Sequence, residues 1–134
     1  RPLQPEAIAL FAIRDPRDML LEWLAFGSSL PYGIASANVA AAWMAQQLKQ
    51  MIEIDRDALQ PHRLIRTDHA HADPEAFAAD IGSGLGLEEI RVIPREAFGP
   101  ERFPYGHWRH YAKPLADAFA ALSDVAQKLG YPTV

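Results

Sequence analysis

Alternating charges follow the first apolar stretch of the chain. Residues 14–18 read RDPRD and come directly after the apolar run 6–13. Asp followed by Pro is typical of a helix start, because the carboxylate caps free amides and Pro fits the first helical position. The amino end of a helix attracts anions, and an arginine at a strand end can bind a phosphate through two hydrogen bonds. The segment therefore predicts an anion site in which Arg14 binds the anion.

A structural role is the alternative for the same charges. Asp15 would cap the helix, while Arg14 and Arg17 would pair with Asp18 or with other carboxylates. Such caps are common at Asp-Pro helix starts, so both interpretations stay open. In the anion-binding interpretation we expect Arg17 to begin the helix and point toward solvent, and therefore to contribute less than Arg14.

Two pairs of histidines are further groups that could carry chemistry. His69 and His71 flank one alanine, so in a strand they would share a face and could hold a metal with a carboxylate. The stretch fits a loop before a helix better, so we expect solvated side chains and no metal. His107 and His110 lie beside Trp108, and they could form a binding surface. We favour aromatic packing of this segment on the last helix.

The elements that must position these groups are two short strands and several helices. Apolar runs over about 6–13 and 62–67 predict the strands, the first of them buried, and about fifty residues between them predict a parallel crossover. Helices are expected after Pro16, over about 36–53, after Pro74 and over about 114–129, and residues 89–93 could be extended. The fold class is therefore α/β and predominantly helical, with helices packed around short parallel strands. We expect the large side chains of the helical stripes to be buried, namely Trp23, Trp43, Phe77, Phe119 and Leu122.

The composition limits the classes of protein and partner. The chain has 134 residues, 49 % of them hydrophobic and 22 % charged, which suits one globular domain over 1–134. It has no cysteine, which excludes disulfides and thiol catalysis, and its net charge of -4 lacks the basic footprint of nucleic-acid binding. No apolar run reaches the roughly 18 residues of a membrane span, so we expect a cytoplasmic protein without a membrane partner. Because the first residue is Arg, we expect a piece of a longer chain.

Several ordered segments carry a resemblance to a known family. They are RDPRD at 14–18, RTDHAHADP at 66–74, LGL at 85–87, GHWRHY at 106–111 and LGYP at 129–132. Together they resemble the sulfotransferases, which use 3′-phosphoadenosine 5′-phosphosulfate. The form of residues 106–111 is most similar to the C-terminal part of bacterial tetratricopeptide-repeat proteins with a sulfotransferase-like domain. The segments cover most of the chain in the family's order.

The resemblance implies a fold and an activity. The fold would be a fragment of a P-loop-type sulfotransferase, with the chain as its C-terminal portion. That portion would bind the 3′-phosphoadenosine nucleotide and support sulfuryl transfer to a hydroxyl or amine. Arg14 would bind the 3′-phosphate with support from Arg17, and Arg102 stands near the place of the family's late phosphate clamp. The resemblance assigns no catalytic residue to this chain and no metal.

Departures from the family pattern leave a second function open. The residues before Arg14 contain neither a Gly-rich loop with Lys nor a His, and Glu22 stands where the family often has a phosphate-binding Ser. The alternative is a non-catalytic module of a tetratricopeptide-repeat protein, with a degenerate nucleotide site and a protein partner. A third interpretation is an independent small α-rich domain whose resemblance is accidental.

Overall fold

The structure is a computed structural model, and it describes residues 7–28, 30–57, 62–87, 96 and 103–132. The expected extended piece at 89–93 lies outside these residues. The helices and strands, in chain order, are β1 (Ala9–Ile13), α1 (Pro16–Ala25), a 3₁₀ turn (Leu30–Tyr32), α2 (Ala37–Asp57), β2 (His62–Arg66), α3 (Pro74–Leu85), a 3₁₀ segment (His107–Tyr111) and α4 (Ala116–Lys128). The predicted α/β, mainly helical class is confirmed.

The two strands pair in parallel, as predicted. Their register runs from Ala9 opposite His62 to Ile13 opposite Arg66. Thr67 extends the pairing, because its backbone N–H and its hydroxyl both donate to the Ile13 carbonyl, at 2.9 and 3.2 Å. A connection that includes α2 joins the two strands, which a parallel pair requires.

The expectation that β1 is a buried strand is wrong for most of its length. Ile13 is 1 % exposed, whereas Leu10 is 45 % exposed. The exposure alternates along the strand, so one face points to solvent. In the described part of the chain the sheet has only these two strands, and a sheet of this size cannot cover both of its own faces.

The described residues divide into two compact units. The first contains β1, β2 and α3, with residues 7–14 and 55–96. The second contains α1, most of α2, the 3₁₀ segment and α4, with residues 15–54 and 103–132. Within the first unit α3 packs on β2, and within the second α1 packs on α4 and on the 3₁₀ segment. Each unit therefore has its own packing, and a single domain over 1–134 stays a prediction.

Both predicted Asp-Pro helix starts are confirmed. The Asp15 Oδ1 atom accepts a hydrogen bond of 3.0 Å from the backbone N–H of Arg17 at the start of α1. At the start of α3, the Asp73 Oδ1 atom accepts one of 3.0 Å from the N–H of Ala76. Each carboxylate satisfies an amide that the helix itself leaves without an acceptor.

The core predictions are confirmed in α4 and wrong in α2. Phe119 is 5 % exposed and Leu122 is completely buried, whereas Trp43 is 40 % exposed. Trp23 and Phe77 are only half-buried. The buried face of α2 consists mainly of small and linear side chains, namely Ala40, Ala41, Met44, Ala45 and Leu48. Trp43, which was expected to be buried, is not part of this face.

The helices within the described ranges are too short or too polar to cross a membrane.

Candidate functional site

Arg17 is buried, which contradicts the expectation that it points to solvent. Its side chain is 2 % exposed and forms a two-point ion pair with Asp15. The Nε atom donates to Asp15 Oδ1 at 2.9 Å, and Nη2 donates to Oδ2 at 2.7 Å. Nη2 also donates to the Pro132 carbonyl. These bonds favour the structural interpretation of Arg17, with Asp15 as its partner rather than Asp18.

Asp18 makes a second buried connection from α1. It is completely buried, and its carboxylate accepts hydrogen bonds of 2.8 Å from the backbone N–H groups of Gly106 and Trp108. The Arg17 guanidinium lies over the Trp108 ring, with Cζ 3.8 Å from the ring centroid. We call Asp15, Arg17, Asp18 and Trp108 the buried cluster. It joins the first turn of α1 to the 3₁₀ segment.

Backbone conformation supports the bond from Gly106. Its φ angle is 80°, in the left-handed region that glycine adopts without strain. The sequence therefore needs glycine at this position to turn the chain and aim the N–H at Asp18.

The charged groups of the buried cluster bind one another and the protein backbone. The carboxylates at the amino end of α1 supply the negative charge that this end of a helix attracts. The carboxylates of Asp15 and Asp18 accept hydrogen bonds from protein donors. Protein side chains therefore occupy the amino end of α1. A contact of Arg17 with a nucleotide stays a prediction, and its hydrogen bonds do not support it.

Arg14 lies at a different place, at the carboxyl end of β1. Arg66 ends β2, and it is opposite Ile13 in the register, so the two arginines end neighbouring parallel strands. The Arg14 side chain is half-buried and that of Arg66 is exposed. In parallel α/β sheets, ligands bind beyond this edge. Arg102, the third predicted ligand, lies outside the described residues.

A cavity of about 430 Å³ opens beside the end of β2. Its polar lining comes from Arg66, His69, Asp73 and Asp80, and Phe77 supplies an aromatic wall. The lining therefore carries charges of both signs. His69 and His71 stand in the turn before α3, as predicted, and among the described residues no group of three or more side chains has the composition of a metal site.

The predicted packing of the 3₁₀ segment on the last helix is confirmed. The Trp108 ring is 6 % exposed and meets Phe119 of α4 edge to face, at 5.6 Å between centroids. His107 lies in a separate ring cluster, 5.3 Å from His110 and 5.5 Å from Tyr111 between centroids. These histidines are therefore part of the aromatic packing of the second unit.

An aromatic cavity in the second unit was not predicted. It has a volume of about 480 Å³ between α1, the 3₁₀ turn and α2. Trp23 and Trp43 stack with centroids 5.2 Å apart, and Tyr32 stacks on Trp43 at 6.1 Å. Glu22 also lines the cavity. Helical spacing assigned both tryptophans to the core, and the nearby Tyr32 in a Gly/Pro loop was the available signal that an aromatic surface forms here.

Comparison of the chain with protein-family models, with curated proteins and with solved structures finds no match.

Proposed function

We propose that the chain is the C-terminal portion of a sulfotransferase-like protein and binds the 3′-phosphoadenosine nucleotide through Arg14. The observation that carries the proposal is the position of Arg14 directly after β1, at the carboxyl edge of a parallel strand pair. Parallel α/β sheets bind ligands at this edge, and a guanidinium can hold a phosphate with two charge-assisted hydrogen bonds. Arg66 adds positive charge at the end of the neighbouring strand.

The buried cluster gives the resemblance further support. Asp18 belongs to the RDPRD segment and binds the backbone of GHWRHY, and Arg17 binds the carbonyl of Pro132 in LGYP. The RDPRD segment thus contacts two other segments that carry the resemblance.

Binding of adenosine 3′,5′-bisphosphate, measured by titration calorimetry, tests the proposal. We expect saturable binding, with adenosine 5′-monophosphate binding more weakly because it lacks the 3′-phosphate. Arg14→Ala should weaken bisphosphate binding roughly 10- to 100-fold, since it removes a charge-assisted pair. Arg63→Ala is the matched control, because Arg63 is an exposed arginine inside β2 and donates to the Gly84 carbonyl. Absent binding, or equal losses in the two variants, would overturn the proposal.

A non-catalytic binding module is the second candidate function. The observation that favours it is the aromatic cavity, whose described lining contains Glu22 but no Lys or Arg and so suits a ligand other than a phosphate. In this case the chain would show no bisphosphate binding and would recognise another partner. The calorimetry with adenosine 3′,5′-bisphosphate distinguishes the two functions, together with a measurement of ligand binding at the aromatic cavity.

A further inference from the structure

The aromatic cavity combines exposed rings with one acidic side chain. Tyr32 is 69 % exposed and Trp43 is 40 % exposed, although such large apolar surfaces usually lie inside. Trp23 completes the group, with its ring centroid 6.4 Å from that of Tyr32. Each ring therefore lies within stacking range of the other two, and they form one continuous aromatic surface. Exposed apolar patches of this kind mark binding sites more often than single exposed side chains do.

The charge of the cavity lining indicates which kind of ligand the cavity can bind. Glu22 is the acidic residue of the described lining, which contains no Lys or Arg. The faces of aromatic rings carry partial negative charge, so rings and carboxylate both attract a cation. An anion would meet repulsion from both. The volume of about 480 Å³ falls within the range of small-ligand sites, which is roughly 300–1,000 Å³.

The remaining lining narrows the kind of cation. Met19, Met44 and Leu48 add apolar surface, and Gln47 and Ser28 add a few polar atoms. A primary ammonium is strongly hydrated and would lose its water against these side chains. A methylated ammonium is weakly hydrated and offers apolar methyl groups to the same surface. We propose that the aromatic cavity binds an alkylated organic cation, with the positive group over the rings and Glu22 as its counter-charge.

Tryptophan fluorescence tests the proposal, because two of the chain's three tryptophans line the cavity. The probe is choline, and the control ligand is 3,3-dimethylbutan-1-ol, which has the same shape without the charge. We expect choline to change the emission saturably, and the neutral compound to bind at least about tenfold more weakly, since it lacks the attraction to rings and carboxylate. Ethanolamine should also bind more weakly than choline. Equal binding of choline and its neutral analogue, or no saturable change with choline, would overturn the proposal.

Two variants test the residues. Glu22→Gln should weaken choline binding about tenfold, and Glu53→Gln, which removes the same charge from an exposed position of α2 outside the cavity lining, should leave it unchanged. Trp43→Leu should weaken binding more than Trp43→Phe, which keeps an aromatic face. Circular dichroism of each variant checks that it is folded. Equal effects of the two glutamate variants, or of the two Trp43 variants, would contradict the assignment.

The cation proposal rests on residues other than those of the nucleotide proposal, so the two can be tested separately. Arg14→Ala should leave choline binding unchanged, and Glu22→Gln should not abolish bisphosphate binding. Failure of either proposal can thus be recognised without reference to the other.

Discussion

The Cζ atom of Arg17 lies 3.8 Å from the centroid of the Trp108 ring, while the same guanidinium is paired with Asp15. The ring covers a charge that is already neutralised, so water is excluded from the ion pair on that side. A desolvated cation–π contact contributes about 2 kcal/mol. This contact links the start of α1 to a segment about ninety residues later, and it makes Trp108 part of an electrostatic arrangement as well as of the core.

Arg17→Ala is expected to destabilise the protein strongly. The substitution removes the guanidinium that pairs with the buried Asp15 carboxylate, and breaking a buried ion pair in this way costs about 3–5 kcal/mol. Arg17→Lys should recover little of this loss, because an ammonium cannot make the two-point contact with Asp15. Urea denaturation measures both variants. A loss below about 1 kcal/mol for Arg17→Ala would show that the pair is not formed as described.

Asp18→Ala is expected to cost about 2–4 kcal/mol in the free energy of unfolding. It removes the acceptor of two buried backbone N–H groups, those of Gly106 and Trp108. Asp124→Ala is the matched control, since Asp124 is an exposed carboxylate of α4 that pairs with Lys128. The midpoint of thermal unfolding should hardly change in Asp124→Ala. Similar midpoints for the two variants would mean that Asp18 is not buried in these bonds.

Phe119→Ala and Trp43→Ala should differ in cost despite the similar size of the side chains. Phe119 is buried in the second unit, and truncation leaves a cavity that costs about 3–5 kcal/mol. Trp43 is 40 % exposed, so its truncation should cost less, about 2 kcal/mol. Equilibrium unfolding of both variants checks the order. A larger loss of stability for Trp43→Ala than for Phe119→Ala would mean that Trp43 is buried, as the sequence predicted.

The pKa of Asp124 should lie below its ordinary value of 3.8, chiefly because Lys128 donates a hydrogen bond to it. The charge of Lys49 lowers the pKa further, while partial desolvation opposes the shift. A lowered pKa in the folded state means that the pair stabilises the protein above pH 3.8, and that this contribution is lost as the pH falls through the lowered value. Carboxyl titration by NMR should show the pKa rising in Lys128→Gln and rising less in Lys49→Gln. An unchanged value in Lys128→Gln would exclude the pair.

Local signals predicted the parts of the fold that depend on local chemistry. Asp15 and Asp73 cap their helices as expected, because capping needs only the residue and the amides that follow it. The parallel pairing also followed from the order of the elements. The buried face of α2 was missed, because it consists mainly of alanines, and hydrophobic spacing alone does not choose between small and aromatic apolar residues.

The candidate site was predictable only in part. The position of Arg14 at a strand end follows from the boundary between an apolar run and a charge cluster. The burial of Arg17 could not be predicted from the sequence. Its acceptor Pro132 is 115 residues away, and no local pattern indicates that contact. The aromatic cavity was missed for a similar reason, since Trp23, Tyr32 and Trp43 meet only when two helices and a turn come together.

The second unit is assembled from two stretches of chain, 15–54 and 103–132, and this arrangement has a consequence for the order of synthesis. Asp18 leaves the ribosome before its partners Gly106 and Trp108, which follow 88 and 90 residues later. Until then a carboxylate that will be buried remains in water, and closing so long a loop has a large entropic cost. The first turn of α1 therefore cannot reach its final environment until residues 106–108 have been synthesised. Folding of this unit must be completed after those residues have been made, and a nascent chain halted before residue 106 should leave α1 accessible to proteases or chaperones.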